Sequence, residues 1–223
     1  MEYADLTAKL LGPLVTLLGI LIGVLGWQNW KKQLRSTREL DIAENTLSLF
    51  LEACHYIAIA RTRNVSEDEE RLRPKFKDEP DTLRLSLKTI LAMAYAPILR
   101  FEKQKDFWQK FEVSKYKFIV NFAQENLDVE EFYLRILDIK RNITWSAQHY
   151  IEQKIRMENP DYRKMMLNED ETSQQVEEWL KQNQKTIWQS IEETDDEINI
   201  KLDKIITDLE NVCLPAIRLS KKI

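Results

Sequence analysis

The sequence predicts an all-α protein, with one N-terminal transmembrane helix followed by a cytoplasmic helical bundle. Three observations predict it. All four glycines of the 223-residue chain, Gly12, Gly19, Gly23 and Gly26, precede Trp27. The rest therefore lacks the residue that takes positive φ without cost in hairpins, phosphate loops and nucleotide-binding turns. Beyond Trp27, apolar residues recur at intervals of three and four, the period of amphipathic helices. One uncharged apolar run, Leu10–Trp27, is long enough for a bilayer. Composition agrees: 43% hydrophobic and 31% charged residues exclude a disordered chain. A net charge of −4 gives no bulk attraction to nucleic acid, and two cysteines exclude a disulfide framework or a thiolate zinc cage.

The transmembrane segment is assigned to residues 6–30. Its 18-residue core, LLGPLVTLLGILIGVLGW, carries no charge and spans about 27 Å at about 1.5 Å per residue. Lys9 can snorkel outward, and Tyr3, Trp27 and Trp30 stand where interfacial aromatics stand. A cleaved signal would need a basic start, whereas Glu2 and Asp5 precede Lys9, and no A-x-A site follows the run. Lys31, Lys32, Arg35 and Arg38 follow it before the first acid, Glu39. The positive-inside rule thus puts the N-terminus outside and residues 31–223 in the cytoplasm, a single-pass inner-membrane topology. Within the span, Gly12, Thr16, Gly19, Gly23 and Gly26 are spaced 4, 3, 4 and 3 apart, and Gly19–Gly23 is a GxxxG. Small residues in one register let helix backbones approach in lipid, so this face is expected to drive homo-oligomerisation.

Leu40, Ala43, Leu47, Phe50, Leu51, Cys54, Ile57 and Ala58 continue the helix as an amphipathic one to about residue 63. Residues 64–80, with two prolines and many charges, read as a solvated loop. Asp81 is expected to cap a helix through Leu83, Leu87, Ile90, Leu91 and Ala94, which Pro97 ends or kinks. Phe107, Trp108, Phe111, Phe118 and Phe122 give the next helix an aromatic face, read as core. Asp128 opens a long helix to about Met157, and Asn159–Pro160 breaks it. Residues 158–172 form a connector. Thr172 restarts a helix bearing Val176, Trp179, Leu180, Ile187 and Trp188, and Thr194 caps a last one, with Pro215 near its end. Cys54 and Cys213 read as core thiols in a reducing compartment.

The only histidines, the residue type suited to acid–base work, are His55 and His149. Each lies three residues from a carboxylate, Glu52 and Glu152, but in opposite order, so the paired Glu-x-x-His motifs of bundle di-iron sites are not formed. No metal, no cofactor, no nucleophilic triad and no small-molecule substrate is read from the sequence, and the chain is read as a non-enzyme. The better constellation is Arg141-Asn142…His149. Arg141, Trp145 and His149 fall at i, i+4 and i+8 along one helix face. It resembles the HEPN arrangement, in which all-helical ribonucleases carry Arg, a polar residue and then a His four to six residues further on. Arg141 and Asn142 match the first two positions. Seven residues separate Arg141 from His149, one more than that pattern, which turns the His by about 100°.

A single membrane helix ahead of a glycine-poor, HEPN-like helical domain resembles the membrane-pore accessory protein family of type VI-B CRISPR systems. The resemblance implies ring-shaped oligomers that open a membrane pore and strengthen antiphage defence, with membrane lipid, further copies of the chain, and RNA or a CRISPR effector as partners. The alternatives are a membrane-tethered HEPN-like ribonuclease or RNA-binding module, with Arg141, Asn142 and His149 as its site, and an inactive membrane-anchored helical scaffold.

Overall fold

The computed structural model describes residues 2–76, 79, 84–122, 129–159, 162, 164, 170–189 and 196–220, and the side chains among them except those of 2–20, 129, 170–173, 215–216 and 218–220. Among the described residues every regular element is a helix. They are α1 (Glu2–Ala60), α2 (Glu67–Leu72), α3 (Leu85–Lys103), α4 (Lys105–Phe122), α5 (Val129–Arg156), α6 (Asp170–Ile187) and α7 (Glu197–Ser220). The chain divides into two units, residues 1–45 with 212–223, and residues 46–211.

In the first unit α1 carries residues 6–30 as helix throughout. Residues 21–35 are exposed on every side of it, with Leu21, Ile22, Val24 and Leu25 between 50% and 67% exposed. Among the described residues no helix is long and apolar enough to cross a membrane. Most of the Leu10–Trp27 run, including the side chains of Tyr3, Lys9, Thr16 and the positions Gly12 and Gly19, lies outside the described side chains. Ala43, Val212 and Cys213 are buried in this unit.

The second unit is a helical bundle with two packed regions. Leu87, Leu91, Ala94 and Ile98 of α3 meet Ala147, Tyr150, Ile151 and Ile155 of α5, with Leu180 and Ile187 of α6 and the adjoining Trp188. The second region is aromatic. Phe50 of α1, Phe111 of α4 and Tyr133 of α5 form a ring triangle with centroids 4.7–5.0 Å apart, and Tyr133 Oη shares a hydrogen bond with Ser114 Oγ at 3.1 Å. Trp108, Phe111, Phe118 and Phe122 are buried, as their periodicity predicts, whereas Phe107, expected with them, is half-buried at the edge of the stripe.

Several boundaries differ from the sequence reading. The buried face of α1 here runs through Thr46, Phe50, Ala53, Ile57 and Ala60, and Leu51 is 50% exposed. Hydrophobicity alone places Leu51 in the core. The helical turn places it on the outer face, and small residues (Ala53, Ala60) fill the contact instead. The segment 64–80 contains α2, whose Ser66 and Glu69 close a capping box with Glu69 N–H on Ser66 Oγ at 3.2 Å and Ser66 N–H on Glu69 Oε2 at 3.1 Å. Pro97 does not end α3; it is buried inside the helix, where packing holds the turns on either side. Arg84 stands at the N-cap of α3 without a side-chain cap bond, while Asp81, Leu83, Asp128 and Thr194 lie outside the described residues. Asp196 caps α7, its Oδ1 accepting from the N–H groups of Ile198 (3.0 Å) and Asn199 (3.1 Å). α6 begins at Asp170, ahead of Thr172, and α7 runs on through Pro215.

Arg61 joins three helix ends. It is 1% exposed and immediately follows α1. Its guanidinium donates to the carbonyls of Lys185 (2.9 Å), Thr186 (3.1 Å) and Trp188 (3.1 Å) at the end of α6. It also grips both carboxylate oxygens of Asp196, at 2.8 and 2.9 Å. One cation thus satisfies the orphan carbonyls of one helix and fixes the N-cap of the next. Gln189 N–H returns a bond to the Arg61 carbonyl at 3.1 Å. This clamp sets the corner between α6 and α7.

Candidate functional site

The Arg–Asn…His residues lie on the middle of α5, on either side of Ile143 and Ala147, which anchor the helix in the core. The structure does not bring them together. Arg141 is 75% exposed on its side chain and pairs with Asp138 one turn back. His149 is 38% exposed, with Nδ1 3.6 Å from Glu152 Oε2, beyond hydrogen-bond range. Eight positions of helix separate the two by about 12 Å along the axis, so a single phosphate does not reach both within one chain. The His149 ring instead meets the Trp145 ring edge-on at 4.2 Å and Trp179 of α6 at 6.4 Å. Asn142 turns toward a different feature.

That feature is a groove between α5, α6 and α7 of about 320 Å³. Ile139, Asn142, Trp145 and Ser146 line it from α5, Trp179, Gln182, Asn183 and Thr186 from α6, and Glu197, Ile198 and Lys201 from α7. The Arg61 clamp, through the Thr186 carbonyl and Asp196, fixes the corner from which Thr186 and Glu197 project. Trp145 is 52% exposed, whereas Ser146 and Asn183 are each only 5% exposed. Asn183 donates Nδ2–H to the Trp179 carbonyl at 2.8 Å, and at the rim Lys201 pairs with Glu197 at 2.6 Å.

Asn142, Trp145 and His149 stand out in the sequence by their spacing, whereas the part of Trp179 and Asn183 in the groove depends on the α5–α6 packing. Lys140, outside the groove lining, is likewise unmarked in the sequence. Burial pushes this ammonium below its ordinary pKa, partly offset by Glu112, and it lies 5.0 Å from the centroid of the buried Trp108 ring.

The other candidate residues stand apart. His55 is exposed, and Glu52 accepts a hydrogen bond from Tyr56 Oη at 3.0 Å. Among the described residues no three His, Cys, Asp or Glu side chains gather as a metal would need. Burial, reinforced by Asp203, pushes the Cys54 thiol up to about 11, and burial alone pushes Cys213 up to about 12, so neither is a nucleophile at neutral pH. At the end of the apolar run, the Trp27 and Trp30 rings meet at 4.9 Å with their planes tilted by 38°, and Lys31 lies 5.2 Å from the Trp27 ring centre. Lys32 is exposed, and Arg35 reaches Glu39 at 2.7 Å. A methyl group added at Gly23 or Gly26 would meet nothing within 4 Å.

Comparison with known proteins returns no matching family model, no matching curated protein and no matching solved structure.

Proposed function

We propose that the chain is an oligomeric single-pass membrane effector, whose N-terminal helix associates through its small-residue face to form a pore or a membrane-disrupting assembly. The observation that carries this reading is the bare apolar helix at residues 21–30. Fully burying a Leu or Ile is worth about 1.5–3 kcal/mol. Leaving Leu21, Ile22, Val24 and Leu25 half uncovered or more therefore forfeits several kcal/mol, a large share of the roughly 5–15 kcal/mol that holds a domain together. Lipid removes that cost, and the Trp27–Trp30–Lys31 cluster suits the membrane interface. Open space at Gly23 and Gly26 leaves room for a second helix to approach. The resemblance to the type VI-B accessory family gives the assembly a role in bacterial antiphage defence, with the bundle as the cytoplasmic part.

The ribonuclease alternative asks one Arg and one His to share a phosphate. With Arg141 turned to Asp138 and His149 beside Trp145, the residues favour a non-enzymatic protein. The test is dye entry into expressing cells, read together with RNA integrity, for three chains. Wild type and His149→Gln, which keeps hydrogen bonding but removes acid–base chemistry near neutrality, should both admit dye. Gly19→Leu with Gly23→Leu should admit much less and yield a smaller detergent-extracted oligomer. RNA cleavage that is lost in His149→Gln, without dye entry in either chain, would replace the pore with the ribonuclease.

A further inference from the structure

The groove on the bundle carries features that packing alone does not require. Buried polar groups are almost always paired. Yet no hydrogen bond engages the Ser146 hydroxyl among the described residues, although Ser146 is 5% exposed. Asn183, equally buried, commits its Nδ2 to the Trp179 carbonyl and leaves its carboxamide oxygen without a partner. Trp108 Nε1 is the one sealed side-chain polar atom lacking a partner among the described residues, so these two groups open to the groove rather than into a void. Asn142 and Gln182, both exposed, add two further carboxamides to the lining. Indoles stand on two walls, Trp145 from α5 and Trp179 from α6. The single cation and single anion of the lining, Lys201 and Glu197, neutralise each other.

An occupant that satisfies these groups is flat, uncharged and edged with both donors and acceptors. Indoles stack on the faces of such a ring, and a carboxamide pairs in bidentate fashion with the amino and ring nitrogens of adenine. The volume, about 320 Å³, lies at the small end of ligand sites and suits one base with its sugar. A polynucleotide would require a track of unpaired cations, and the lining offers none. We propose that this groove is a binding site for a free purine nucleoside, of which adenosine is the best-matched form. The site lies wholly within residues 46–211 and does not depend on the membrane reading.

The test is ligand-observed saturation-transfer NMR on the full chain in detergent, with adenosine as the probe and empty micelles as the control. Adenosine should show transfer from the protein and none from micelles, with uridine weaker. Trp145→Ala, at an exposed position, and Asn142→Leu, also exposed, should each weaken adenosine by about tenfold, within the range that one lost stacking partner or base-edge contact produces. Asn183→Leu should abolish it, and thermal melting of that variant reports whether the bundle still folds. No transfer to adenosine at millimolar concentration would overturn the proposal. So would binding that Trp145→Ala and Asn142→Leu leave unchanged, or salt-sensitive binding of single-stranded oligoadenylate without binding of adenosine.

Discussion

Arg61 is the side chain on which the corner of the bundle turns. Its ion pair with Asp196 is sealed, at 1% and 2% side-chain exposure, and its other bonds go to the carbonyls of Lys185, Thr186 and Trp188 at the end of α6 and to Asn199 Oδ1 at 3.4 Å. Removing one member of a buried pair leaves the other charged and unpaired, which costs about 3–5 kcal/mol. Urea denaturation of the detergent-solubilised chain should show Arg61→Met and Asp196→Asn each destabilised by about that amount. The double variant should be less destabilised than the two losses summed, because neither charge is then stranded. Purely additive losses would show that the two side chains act independently. Nothing in the local sequence marks Arg61, since its partners lie 124 to 138 residues away. The motif at Arg141 was legible only because its three residues share one helix, and the same regular spacing keeps Arg141 and His149 apart.

At the scale of elements, the legible features were periodic and the missed ones were short or capped from a distance. The aromatic stripe of α4 and the extent of α5 follow from repeats of three and four over many turns, whereas α6 starts two residues ahead of its expected cap. α2 is six residues long, too short for any period, and the charges that read as solvated are what dock it. Arg100 of α3 holds Glu69 through both oxygens, at 2.8 and 2.9 Å, and donates to the carbonyls of Ile59 (3.1 Å) and Thr62 (2.8 Å) at the end of α1. The Arg100 guanidinium, helped by the Ser66 N–H, holds the Glu69 carboxyl below its ordinary value of 4.5 against the opposing effect of burial. A carboxyl depressed in the folded state stabilises it above its unfolded pKa, and that contribution fades as pH falls through the folded value. Stability should therefore drop on acidification below about pH 4.5, and Glu69→Gln should lower stability at pH 7 while flattening the acid limb. Parallel acid limbs for wild type and variant, followed by circular dichroism, would show that the Arg100–Glu69 contact does not hold α2.

For the whole molecule, the proposed function requires that Leu10–Trp27 insert into the membrane with the bundle inside the cell. The two native thiols, raised to about 11 and about 12 by burial, are slow to alkylate at neutral pH, which leaves a quiet background for introduced cysteines. The decisive measurement is labelling of intact cells with a membrane-impermeant maleimide, followed by an alkaline wash of the membranes. Thr7→Cys should label from outside, Ser36→Cys should label only after the cells are opened, and both chains should stay with the membrane through the wash. Release of the chain by the wash, or labelling of Ser36→Cys in intact cells where Thr7→Cys is silent, would contradict the insertion or its orientation.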